Sequence, residues 1–99
     1  MELIKNTDGA KMVIALDGRL DTNTAPELEK ELQLDDVQEL VLEFEKLRYL
    51  SSAGLRVLLA AQKKMNAKQG TMVLKHVNDM IMEVVEATGF IDILTVEND

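Results

Sequence analysis

The apolar residues of this chain switch repeatedly between a period of two and a period near 3.6, with only a few residues between segments. That alternation limits the available folds more than any other feature. Residues 11–17 alternate, with Met12, Ile14 and Leu16 on one face and Val13 and Ala15 on the other, as in a strand with both faces at least partly buried. "DTNTAPELEKEL" then opens a helix. Thr24 and Glu27 have capping-box spacing, Pro26 suits a first turn, Leu28 and Leu32 form a narrow apolar stripe, and Glu27, Glu29, Lys30 and Glu31 read as the wet side. "VQELVLEF", at 37–44, carries the unbroken run Leu40-Val41-Leu42 expected of a central strand covered on both faces. From Ala53 to about Lys68 the spacing is helical again, through Leu55, Leu58, Leu59 and Met65, and Gly70 is expected to close that helix with a positive φ.

The remainder continues the alternation. "TMVLKHV" at 71–77 reads as a strand. Asn78 or Asp79 can cap a third helix carrying Met80, Ile81, Val84 and Val85, Gly89 ends it, and "FIDILTV" makes a short helical turn or a strand. Ahead of all this, residues 2–5 and 11–17 flank "NTDGA", where Asp8-Gly9 signals a hairpin. Strands separated by helices need right-handed crossovers and a mainly parallel sheet. The expectation is therefore one α/β domain over residues 1–99, with a mixed sheet of four to five strands, three to four helices and an N-terminal hairpin.

A chain of 99 residues has room for one core and none for a deep cleft between lobes, so function is expected on a surface or loop. The net charge of −7, with one Tyr, two Phe and no Trp, supplies neither a footprint for a phosphate backbone nor a stacking platform for bases. No direct contact with nucleic acid is expected on those grounds. The longest apolar run is too short to span a bilayer, and "MELIKNTDG" lacks a signal-peptide pattern, so the expected address is the cytoplasm, without membrane insertion. With no Cys there is no disulfide or thiolate metal site. Glu97, Asn98 and Asp99 read as a solvated tail.

In this topology the loops leaving the C-terminal strand ends gather at one edge, where ligands and partners meet α/β domains. Three loops, 18–24, 48–54 and 76–79, bring Asp21, Thr22, Asn23 and Thr24, then Ser51 and Ser52, then His76, Asn78 and Asp79. The single His, without a Gly-x-Ser-x-Gly elbow, does not make a nucleophilic triad, and Gly54 stands alone where a phosphate-cradling loop needs several glycines. Neither catalysis, nor a cofactor, nor a metal is expected, and His76 reads as an ordinary strand-end residue. For the serines, the economical reading is that Ser51 or Ser52 caps the helix, worth about 1 kcal/mol. A hydroxyl at a helix start is also a good place for a phosphate, because unpaired N–H groups and the positive end of the helix dipole face it. Arg56, one turn after Ser52, is either solvated or poised to pair with a phosphate or a partner carboxylate. Lys63, Lys64 and Lys68 read as cations favourable near a helix C-terminus.

Two stretches together resemble the STAS domain, most closely the single-domain anti-sigma-factor antagonists of bacteria. "YLSSAGLRVLL" takes the place of the family's Asp-Ser-(Ser/Thr)-Gly-Leu motif, "GRLDTNTA" at 18–25 that of its Gly-x-Leu-Asp loop, and "TGF" at 88–90 is similar to the family's ending after its third helix. Alignment on Gly54 and Leu55 puts the family's phosphorylated serine on Ser52. Ser51 then replaces the family's Asp, becoming a competing acceptor, and Ala53 replaces its following Ser or Thr.

The resemblance implies partner switching. The unmodified antagonist binds an anti-sigma factor that is also a serine kinase, sigma factor is released, phosphate on Ser52 abolishes binding, and a serine phosphatase resets the cycle. The implied contact surface is Asp21, Thr22, Asn23, Thr24, Ser51, Ser52, Gly54 and Arg56. The alternative is a STAS scaffold that is not phosphorylated and binds a small ligand or nucleotide, or docks in a larger signalling complex; Ser51 in place of the family's Asp favours it slightly.

Overall fold

The computed structural model describes residues 1–98 and is built around a five-stranded mixed sheet. Strands β1 (Glu2–Asp8) and β2 (Lys11–Leu20) form the hairpin, followed by α1 (Ala25–Glu31), β3 (Glu39–Leu50), α2 (Ser52–Ala67), β4 (Thr71–Lys75), α3 (Asp79–Ala87), a 3₁₀ turn at Phe90–Asp92 and β5 (Val96–Glu97). Spatial order follows chain order. The first pair is antiparallel and each later pair parallel, as the strand–helix alternation requires. Gly9 supplies the positive φ of the two-residue hairpin turn. The segment "FIDILTV" realises both alternatives, a helical turn and then a strand.

One strand face is apolar throughout. Met12, Ile14 and Leu16 of β2, Leu40, Leu42 and Phe44 of β3, and Met72 and Leu74 of β4 form a single core with Leu28, Leu55, Leu58, Met65, Ile81 and Val85 of the helices. Val41 is buried yet stands outside that core. The central strand is thus helix-covered on one face only, contrary to expectation; on the other face Val41 is shielded by its half-buried cross-strand partners Val13 and Val73.

Both long strands outrun their expected ends, β2 reaching Leu20 and β3 reaching Leu50. The reason is register. Ala15 pairs with Glu43 but Asp17 with Lys46, and Gly18 pairs with Leu47 but Arg19 with Tyr49, so β3 carries one extra residue at each step. Phe44, Leu47 and Leu50 are all buried although three residues apart, a spacing that ends the period-two signal after Phe44. At the other end β3 begins at Glu39 and not at Val37, because Val37 still belongs to a turn through its N–H to Leu34 O at 3.1 Å.

Other local expectations are revised. Gly70 has no positive φ; Gln69 takes the left-handed position (φ 60°). Glycine is needed at 70 for space, since a Cβ there would lie 2.7 Å from Gln38 O. Lys68 ties down the α1–β3 loop, donating through Nζ to Leu34 O and, at 3.1 Å, to Val37 O. Strand β4 stops at Lys75 because His76 turns into the left-handed region (φ 56°). The expected tail is engaged: Glu97 lies in β5, and the Asn98 amide bonds both Val77 N (2.9 Å) and Val77 O (3.0 Å), while Asp99 lies outside the described residues.

Candidate functional site

The C-terminal ends of β2 and β3 are joined where they enter their helices. Ser51 N donates to Leu20 O at 2.9 Å, so the residues that follow, Asp21 and Ser52, begin neighbouring loop and helix at one sheet edge. Because β2 and β3 extend so far, the first two loops contract to residues 21–24 and to Ser51 alone.

The serine ambiguity resolves by geometry. Ser51 is the N-cap of α2, in extended conformation, and its Oγ accepts from Gly54 N at 3.4 Å while its carbonyl accepts from Leu55 N at 3.0 Å. Ser52 is the first helical residue, exposed, and its hydroxyl makes no hydrogen bond among the described residues. The N–H groups of Ser52 and Ala53 are donors that a helix start leaves without intrahelical acceptors. Arg56 is exposed one turn further on and makes no ion pair among the described residues. Residues four apart share a helix face, so its guanidinium can reach a group carried by Ser52.

Gly54 brings the helix down onto the strands. A Cβ at this position would lie 2.7 Å from Leu20 Cγ and 2.9 Å from Leu50 Cδ1, so the first turn of α2 rests directly on the last residues of β2 and β3. This contact fixes the height of Ser52 above the sheet edge.

The 21–24 loop is organised around one carboxylate. Asp21 Oδ1 accepts from Asn23 N (3.0 Å) and Thr24 N (3.1 Å), and Asp21 Oδ2 lies 3.8 Å from Arg19 Nε. Partial desolvation alone raises the Asp21 carboxyl pKa, but the Thr24 and Asn23 N–H groups, the Thr24 hydroxyl and the Arg19 guanidinium together outweigh it and hold the group below its usual range. The expected capping box is absent, because Thr24 Oγ1 donates to Arg19 O (2.7 Å) and accepts from Asp21 N (2.9 Å) without capping α1. Thr22 and Asn23 are left exposed at the tip.

Arg19 and Tyr49 belong to the same edge, although neither is among the residues expected to act there. They are register partners across the second bulge, and the Arg19 guanidinium lies 4.2 Å from the Tyr49 ring centroid. Arg48 joins Arg19, Asp21, Asn23 and Thr24 around a shallow depression, so cations border the acidic loop. In the third loop, Asn78 caps α3, accepting from Ile81 N at 2.8 Å, and donates to Leu47 O at 3.0 Å, which makes it a brace between α3 and β3; Asp79 is the first residue of that helix. His76 is set apart from Ser52, its Nδ1 lying 2.7 Å from Glu43 Oε1, so it is more engaged than an ordinary strand end. No helix among the described residues is long and apolar enough to cross a membrane.

Residues 3–99 match the family model described as STAS domain. The chain is 36% identical to BtrV of Bordetella bronchiseptica over 99% of its own length and 87% of that protein's. It is 31% identical to the anti-sigma-B factor antagonist of Listeria monocytogenes, covering 96% and 86% respectively. Its backbone is similar to the solved structure of the Bacillus cell fate determinant SpoIIAA in the phosphorylated form, with a TM-score of 0.77, 18% identity, and 97% and 91% of the two chains covered.

Proposed function

The chain belongs to the STAS domain family, and from that premise we propose that it is an anti-sigma-factor antagonist whose docking edge is gated by a phosphate on Ser52. The observation that carries this reading is the division of labour between the serines: Ser51 is occupied as the helix cap, leaving Ser52 as the exposed hydroxyl at the start of α2. A kinase can reach that hydroxyl without unfolding any element.

The unmodified protein binds an anti-sigma factor through Asp21, Thr22, Asn23 and Thr24 together with Ser51, Ser52, Gly54 and Arg56. Gly54 acts from beneath, by setting the height of the helix, and Asp21 by shaping the loop whose tip, Thr22 and Asn23, meets the partner. Phosphorylation by the serine kinase activity of that partner adds about 1.5 to 2 negative charges. The new group is held by the unpaired amides of the helix start and by Arg56, next to a loop that already carries the ionised Asp21. Docking then requires a doubly charged group to be desolvated or displaced, and each 1.4 kcal/mol of that cost weakens binding about tenfold. A serine phosphatase restores the binding form.

The test is incubation with the cognate anti-sigma factor and ATP, read by intact mass and peptide mapping. One added phosphate on Ser52, absent in Ser52→Ala, supports the reading. A phosphate on Ser51, or none in the presence of a bound and active kinase, overturns it.

A further inference from the structure

On the face of the sheet that the helices leave uncovered, the side-chain ligand atoms of Glu43, Glu45 and His76 all lie within 4.8 Å of one another. We propose that these three residues form a binding site for one divalent transition-metal ion of the zinc class, separate from the Ser52 edge. Two side chains come from β3 and the third from the residue that follows β4. Glu43 ends the regular register of β3, Glu45 sits in its first bulge, and His76 directly follows Lys75, the β4 partner of Glu43. Glu43 Oε1 is the centre of the group, accepting from Glu45 N at 3.2 Å and lying 2.7 Å from His76 Nδ1.

The surroundings favour a cation. Glu2 and Asp17 line the same depression as Glu43 and Glu45, with Lys46 the one cation there among the described residues, while Lys75 and Glu97 continue Glu43's row across the sheet. Carboxylates therefore outnumber ammonium groups around the cluster. Backbone on both sides is tied down: Glu43 lies in the central strand, and the Asn98 amide bonds the N–H and carbonyl of Val77, next to His76. Glu43 and Glu45 lie on β3, and ligands on strands hold their geometry better than ligands on free loops.

The donor set selects the ion. Zinc accepts imidazole nitrogen and carboxylate oxygen at about 2.0–2.2 Å, whereas calcium and magnesium prefer oxygen donors alone. Closing the group around an ion replaces the Glu43–His76 contact by two metal bonds. Water completes the coordination, because His76 and Glu45 are exposed. Such an ion would clamp β3 to the end of β4, one residue ahead of Val77 and two ahead of the Asn78 cap.

The chain has a single histidine, so its imidazole resonances report this site alone. Titrating the full chain with zinc chloride at neutral pH, followed by proton NMR and calorimetry, should shift those resonances to saturation at one equivalent, while calcium chloride leaves them in place. Glu43→Gln and His76→Asn should each weaken zinc binding at least about tenfold, the scale on which metal-site substitutions act, and Glu27→Gln, on the exposed side of α1, should bind as the parent does. Asparagine tolerates the left-handed backbone at 76, and Glu45→Gln, with the same expected loss, replaces either of the first two variants if it misfolds. An imidazole unmoved by one equivalent of zinc, or a folded Glu43→Gln or Glu45→Gln variant that binds zinc as tightly as the parent, overturns the proposal.

Discussion

Gly54 and Leu20 approach so closely that a methyl group on the glycine would lie 2.7 Å from Leu20 Cγ. The contact couples packing to the proposed switch, because the turn that carries Ser52 is seated by it. Leu20 is fully buried at the end of β2 and Leu50 nearly so at the end of β3, leaving little room for either to give way. Gly54→Ala is therefore expected to destabilise the domain by about 1–3 kcal/mol, the usual range for forcing extra volume into a packed core, although alanine favours the helix. Urea unfolding measures this, and a neutral or stabilising result would show that the strand ends relax.

The two serines should separate stability from modification. Ser51→Ala removes the cap on α2 and is expected to cost about 1 kcal/mol while leaving phosphate incorporation intact. Ser52→Ala should leave stability within about 0.5 kcal/mol, as exposed substitutions usually do, and abolish incorporation. Parallel denaturation curves and kinase assays read the pair; the opposite pattern would move the modified hydroxyl to Ser51.

Charge at position 52 should act on association more than on folding. Ser52→Asp places a carboxylate in the first turn of α2, where the helix dipole favours it by about 0.3–1 kcal/mol. The variant should be as stable as the parent or slightly more so, yet bind the anti-sigma factor at least about tenfold more weakly, a difference of roughly 1.4 kcal/mol. Calorimetric titration against the partner decides the matter, and unchanged affinity would remove the electrostatic gate.

The alternation of periods made the topology readable, down to the hairpin turn at Gly9 and the end of α3 just before Gly89. It failed where register slips. The bulges in β3 put Phe44, Leu47 and Leu50 on one face at a spacing of three, which resembles neither strand nor helix in so short a window. For the same reason the facing of Arg19 and Tyr49 was invisible, as was the nearness of Glu43 and Glu45 to His76. An unbroken apolar run also misled: Leu40-Val41-Leu42 suggests cover on both faces, but Val41 is shielded by valines of the neighbouring strands, a cross-strand effect that no local pattern encodes. The candidate edge was legible in its residues and not in their roles. That Ser51 rather than Ser52 caps the helix depends on where α2 begins, and boundaries are what periodicity fixes least well.

The Asp21 carboxylate should leave a signature in acid. Its folded pKa is lowered, because the Thr24 and Asn23 N–H groups, the Thr24 hydroxyl and Arg19 together outweigh the desolvation that would raise it. A depressed folded value means that the unfolded chain takes up the proton first as pH falls. The contribution of this group is therefore fully present above the unfolded value of about 3.9 and is lost as pH drops through the lower folded value. The stability gap between the parent and Asp21→Asn should be constant from neutral pH down to about pH 5 and should close progressively below about pH 4. Urea titrations of both proteins across that range test the assignment. A gap that persists unchanged into the acid region would mean that Asp21 holds the loop by its shape and not by its charge.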